Sequence, residues 1–283
     1  MSFFNVAPQF APKVLEAGIM EQFRQKTTGK QLLALNNVES YVIETTEEGD
    51  TRGGFKFVDR DTGVPELIQQ KFKKATRDTK VWDASMKIEV ADVKVRPDLV
   101  AGKIRIAGTN WATFDDQLVY DTLLAGAGIV EDDMTPWAQD GADPVVDISK
   151  TRATMGTETK GAYSPDTLVM NNMAWHYLAV SSKLINQDYT PNGTAAYTLT
   201  GRIPPLFGMN IIVTEAVGND VLVLKATDCG KWDQFLPPTT FTTEGKNIRQ
   251  MLVHTYHDMY EWGLPSVTRP KLIAKLTGVG ATT

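Results

Sequence analysis

His254-Thr-Tyr-His257-Asp258 places two imidazoles and a carboxylate within five residues. Such groups hold a zinc-like ion only if they converge on one point. On a strand, the odd separation of His254 and His257 turns them to opposite faces, which favours surface or interface histidines. His176 stands alone. Glu131, Asp132 and Asp133, with Asp140 and Asp143, offer hard oxygens suited to calcium. They lack the spaced loop of a dedicated site and read as a solvated turn. Ser164 and Ser181 have no nucleophile-elbow context, and no phosphate-binding glycine loop is present. A catalytic thiol at Cys229 would need a basic partner, and the sequence identifies none. Asn192-Gly193-Thr194 fits a glycosylation acceptor and reads as a loop.

The main charge feature is the basic run Lys71, Lys73, Lys74, Arg77 and Lys80. It either docks on acidic groups of a neighbouring subunit or forms a solvated tip. Over 283 residues the net charge is −5 and the pI about 5.3. That balance is a poor basis for tight nonspecific nucleic-acid binding, which needs clustered cations. It allows a shell that merely surrounds nucleic acid. A composition 42% hydrophobic and 22% charged indicates a globular chain with a real core. The single cysteine precludes an internal disulfide and fits synthesis in a reducing compartment. The first residues, MSFFNVAPQF, show no signal-peptide pattern, and no apolar run approaches the ~20 residues that span a bilayer.

These side chains must be positioned by recognisable elements. Met1–Phe10 reads as an extended arm. Pro12 opens a helix with Leu15, Ile19 and Phe23 on one face, ended by Thr27-Thr28-Gly29. Val38–Arg96 contains β-like pieces between Gly and Asp turns, and VWDASMKIEVADVKVR alternates apolar with polar. The region reads as a long two-stranded excursion with a charged tip, marginal in water without another surface. Arg96–Ala125 is the strongest helix, with Val100, Ile104, Ala107, Trp111, Phe114 and Leu118 at alternating steps of four and three. Gly126 stops it, while Gly102 and Gly108 weaken it. A short helix is expected near Val145–Arg152. Leu168–Met170 is expected as a strand, and Asn171 or Asn172 caps a helix carrying Trp175 and Leu178. Ile211–Val213 and Val221–Leu224 read as strands joined by Gly218-Asn219-Asp220. Lys246–Tyr260 reads as one long strand, Pro265 as its break, and Lys271–Leu276 as the last strand. Trp82, Trp111, Trp175, Trp232 and Trp262 are candidate core or interface anchors.

The order FDDQLVYDTLLAGAG, YSPDTLVMNNMAWHYLA, PPLFGMNIIVTEAV, VLVLKATDCGKW and RPKLIAKLTGV resembles that of tailed-phage major capsid proteins, the Hong Kong 97-type shell fold. The resemblance covers about Val38 to Val279, by element order more than by identity of letters. It implies an α+β fold with an N-terminal arm (1–37), an extended β-hairpin loop (38–95) and a spine helix in a peripheral domain (96–125). An axial domain with connecting strands (126–264) and a return to the peripheral domain (265–283) complete it.

That family implies assembly rather than catalysis: hexamers and pentamers of this chain closing an icosahedral shell around double-stranded DNA. No cofactor and no membrane are implied. Portal and scaffolding proteins, and a cement protein, are the implied partners. The implied location is the virion capsid, assembled in the host cytoplasm. Some shells of the family join a loop lysine to an asparagine of another subunit; Lys71, Lys73 or Lys74 with Asn247 match by position. Two rival readings are a nanocompartment shell enclosing a cargo enzyme and a metal-dependent enzyme built on His254 and His257.

Overall fold

In the computed structural model the described residues are 12–52, 69–89, 92, 95–181, 205–247 and 252–281. They form a mixed α+β structure that divides into two compact units. The first is built from Met1–Tyr41, Asp78–Tyr120 and Trp232–Pro265. It holds helix α1 (Pro12–Lys26), helix α2 (Pro97–Ala125) as far as Tyr120, and strands β1 (Ala34–Asn37), β4 (Lys80–Glu89), β9 (Gly230–Asn247) and β10 (Leu252–Val267). The sheet order is β1-β9-β10-β4, with β10 antiparallel to β4 and His257 opposite Met86.

Helix α1 buries the expected face, Leu15, Ile19 and Phe23, against Val100, Trp111 and Ala112 of α2 and Ile88 and Met259 of the sheet. Gly108 marks the closest approach. A Cβ there would lie 2.6 Å from Cβ of Gln22 and 2.9 Å from the Ile19 carbonyl oxygen. The glycine that weakens α2 as a helix is therefore what lets α1 approach. The stripe expected along α2 holds only to Trp111. Phe114 is 51% exposed, and the buried face continues through Asp115, Asp116, Val119 and Tyr120. Steps of four and three average 3.5 residues, whereas an α-helix turns every 3.6, so a strict seven-residue repeat drifts off the buried face.

Two strand assignments also change. VWDASMKIE becomes β4, which leaves the excursion and joins the four-stranded sheet. Ile88 is buried against Leu15 and Val100, and Met86 packs against the same cluster, so this strand completes a core in the first unit. Lys246–Tyr260 is not one strand. It straddles the end of β9 and the start of β10, with 248–251 outside the described residues. Pro265 does not break β10, which runs on to Val267; its pairing with β4 ends at Gly263, before the proline. Pro237 and Pro238 likewise sit within β9 just beyond Gln234, whose carbonyl accepts from Val38 at the end of β1.

The second unit comprises Val42–Arg77, Asp121–Lys231 and Ser266–Thr283. Its core sheet has the order β5-β11-β8-β6-β7, from β5 (Ile129–Glu131), β6 (Thr167–Met170), β7 (Asn210–Val213), β8 (Val221–Leu224) and β11 (Ile273–Leu276). Strands β6 and β8 are buried along their whole length, as short apolar runs require when both faces are covered. Helix α3 (Pro144–Glu158) is longer than expected. Asp143 caps it by accepting from the Val146 amide, and Ile148 and Met155 face the sheet core. Asn171 caps α4 (Asn172–Ala179), accepting from the Ala174 amide at 2.7 Å. Among the described residues, strands β2 (Val42–Arg52) and β3 (Gln69–Asp78) pair only with each other. This is the two-stranded excursion, shorter than 38–95.

Candidate functional site

The ribbon β2–β3 carries the basic run. Lys71, Lys73, Lys74 and Arg77 lie along β3 and not at the turn, and Lys80 begins β4 with an exposed side chain. The side chains of Lys71 and of Asn247, the last residue of β9, lie outside the described residues. Lys73 Nζ is 3.7 Å and Arg77 Nη2 3.4 Å from Glu47, and Lys74 Nζ is 3.8 Å from Glu44. These pairs are long and largely solvated, worth no more than about 1 kcal/mol each. The ribbon is held more firmly midway along β2: the Glu48 amide donates to the Thr268 carbonyl, and Arg269 meets the Glu48 carboxylate at 3.0 Å. Phe72 on β3 is 56% exposed, as is much of Val42 on β2.

In the first unit, an apolar groove of about 570 Å³ runs between β4 and α2. Trp82, Met86, Trp111 and Met259 line it, with the exposed Ile106 and Phe114 at its rim. Strand β4 ends its sheet. Trp82 packs on Phe114 and edge-on to Trp232, at 5.8 and 5.9 Å between centroids. Trp111 packs against Phe23 with ring centroids 4.6 Å apart and the planes tilted by 34°, and Trp262 donates to the Thr79 carbonyl at 3.1 Å. Trp175 packs against the second unit's core. The tryptophans thus serve as anchors.

The histidine pair forms no described metal site. His257 is buried with its ring nitrogens 3.1 Å from the hydroxyls of Thr242 and Thr255, and burial lowers its pKa. The side chain of His254 lies outside the described residues. Among the described residues no group of three or more His, Cys, Asp or Glu is set to hold a metal ion. The acidic run is dispersed: Asp143 is the α3 cap and Glu131 faces Lys150 at 3.8 Å. Burial pushes the Cys229 thiol up to about 12, so at neutral pH it stays a thiol and not a nucleophilic thiolate.

A buried ionic cluster in the first unit went unread in the sequence. Lys30 Nζ lies 2.5 Å from Asp115 Oδ2 and 2.6 Å from both carboxylate oxygens of Glu261. Neither carboxylate side chain is accessible to solvent. The ammonium also sits 4.4 Å above the Trp232 ring and 5.0 Å from that of Phe23. Asp116 accepts from the amides of Thr28 and Gly29 and from the hydroxyls of Thr27 and Thr28, which fixes the turn presenting Lys30. The available signal was Asp115-Asp116 at the centre of an otherwise apolar helix face.

The profile of the phage capsid protein family matches residues 76–251. No curated protein matches the chain. Among solved structures, the capsid of the cyanophage P-SCSP1u superposes with a TM-score of 0.66 at 13% identity, over 88% of this chain and 87% of that one. A virus-like particle from Pyrococcus furiosus gives 0.62 at 13% identity, over 93% and 98%. An encapsulin complex from Synechococcus elongatus gives 0.56 at 11% identity, over 90% and 89%. At such identities the likeness is one of fold, and it is the Hong Kong 97-type α+β shell fold.

Proposed function

The chain belongs to the phage capsid protein family, and from that premise we propose that it is a major capsid protein of a tailed virus. Its copies assemble as hexamers and pentamers into an icosahedral shell enclosing double-stranded DNA. Its work is assembly and not catalysis. Portal and scaffolding proteins, with a cement protein, are its partners, and assembly takes place in the host cytoplasm before the chain resides in the virion. The observation that carries the reading is the ribbon β2–β3, a two-stranded sheet with exposed apolar side chains on both strands. Such a ribbon is marginal alone and gains stability by lying on another subunit.

On this reading Lys71, Lys73, Lys74, Arg77 and Lys80 help dock the ribbon on acidic groups of the neighbour. A covalent join from Lys71, Lys73 or Lys74 to Asn247 of another copy is the stronger form of the same contact. Boiled shells run on a denaturing gel as a ladder if the join forms and as one band if the contact is noncovalent.

The second reading is an encapsulin-like compartment enclosing a cargo enzyme, favoured by the likeness to the Synechococcus encapsulin. Electron microscopy of the purified chain, expressed alone and with its neighbouring genes, tests both. Closed shells or capsomer rings support assembly, and DNA or protein contents separate the two readings. No particle under either condition overturns the proposal.

A further inference from the structure

We propose that Lys30, Asp115 and Glu261 form a buried proton-binding site in which the two carboxyl groups share one proton at neutral pH. One ammonium faces two carboxyls, both fully inaccessible to solvent. With both ionised, the cluster would carry a surplus negative charge in a medium that solvates it poorly, which is costly unless neutralised. A single proton taken from solvent removes that surplus. It also satisfies a second observation. Asp115 Oδ1 is buried without a hydrogen-bond partner, and an O–H shared between the two acids would supply one.

Among the described residues, the surrounding groups offer no other route to neutrality. From α2, Asp116 adds a further carboxylate, committed to Thr27, Thr28 and Gly29, and Tyr120 bonds with the Thr28 hydroxyl. Burial raises the Tyr120 phenol, which keeps it protonated and neutral. From α1 and β9 come the uncharged rings of Phe23 and Trp232. His257 shares β10 with Glu261 but is engaged by two threonine hydroxyls. Burial raises both acids, with Lys30 opposing it, and Glu261 is pushed up to about 8. The folded chain therefore binds more protons than the unfolded chain between about pH 4.5 and 8. In that window stability falls as pH rises, and the contribution is gone above about 8.

The test uses the purified full-length chain. A difference infrared spectrum between pH 6.5 and 9.5 should show a protonated-carboxyl C=O band that disappears at the higher pH, and Glu261→Gln should lack it. The wild-type Tm should drop by about 5 °C over the same interval, while Glu261→Gln, which leaves a one-to-one Lys30–Asp115 pair, stays nearly level. Absence of the band in the wild type, or its full persistence in Glu261→Gln, overturns the proposal. The infrared result on the wild type decides the matter even if the variant does not fold.

Discussion

Gly102 and Gly108 lie less than two turns apart on one helix and should respond oppositely to the same substitution. At Gly102 nothing lies within 4 Å of a built Cβ, so Gly102→Ala should gain about 0.5–1 kcal/mol from helix propensity alone. At Gly108 the added methyl meets Gln22 and the Ile19 backbone, so overpacking of about 1–3 kcal/mol outweighs that gain. Denaturant midpoints of the two variants check the sign of each. Asp166 gives a pH-dependent case. Burial works to raise its pKa, but hydrogen bonds from Lys225, the Ala226 amide and Thr167 outweigh it and hold the carboxyl below its ordinary value. Its contribution is present above the unfolded pKa near 4 and lost as pH falls through the folded value. Asp166→Asn should therefore be less stable than wild type by about 1 kcal/mol at pH 7 and converge with it in acid, as thermal melts from pH 7 to 2.5 would show. Cys229, buried with its thiol raised, should react with a maleimide only on unfolding.

At the scale of elements, what was legible in the sequence is what local pattern decides. The cap at Asn171, the 3.6-residue face of α1 and the apolar runs of β6 and β8 are each written in a few adjacent residues. What was not legible depended on partners far away in sequence. Nothing within VWDASMKIE says that it pairs with β10, some 170 residues on, and not with β2. Prolines in β9 and β10 look like breaks, yet both strands run through them. The ionic cluster was hidden for the same reason: Lys30, Asp115 and Glu261 come from three elements, and only the acids within an apolar helix face announced that something charged must meet them. The site residues fared in between. The basic run is read from composition alone, but its partners Glu44 and Glu47 appear only once β2 and β3 are paired.

For the whole molecule, the question is which forces hold copies together, and magnitudes decide it. Ion pairs on the ribbon are solvated, and Lys73, Lys74 and Arg77 already face acids of their own chain. Transferring any of them to a neighbour exchanges one weak pair for another, worth about 0.2–1 kcal/mol. Burying Phe72, now 56% exposed, removes apolar surface from water and is worth about 1.5–3 kcal/mol when complete, repeated in every copy of a shell. The groove rim at Ile106 and Phe114, 57% and 51% exposed, offers the same kind of gain. Phe72→Lys and Ile106→Lys should thus leave the isolated chain's Tm nearly unchanged, since both side chains are mostly solvated there, yet abolish particles. Lys74→Ala should only slow assembly or lower its yield. Particle counts by electron microscopy beside the melting curve of each variant separate the cases. Intact shells from Phe72→Lys together with none from Lys74→Ala would reverse the ranking and make charge, not apolar burial, the force that holds the ribbon to its neighbour. Salt gives an independent check, because screening beyond about 3 Å at 1 M should leave shells held by apolar contacts closed and open those held by charge.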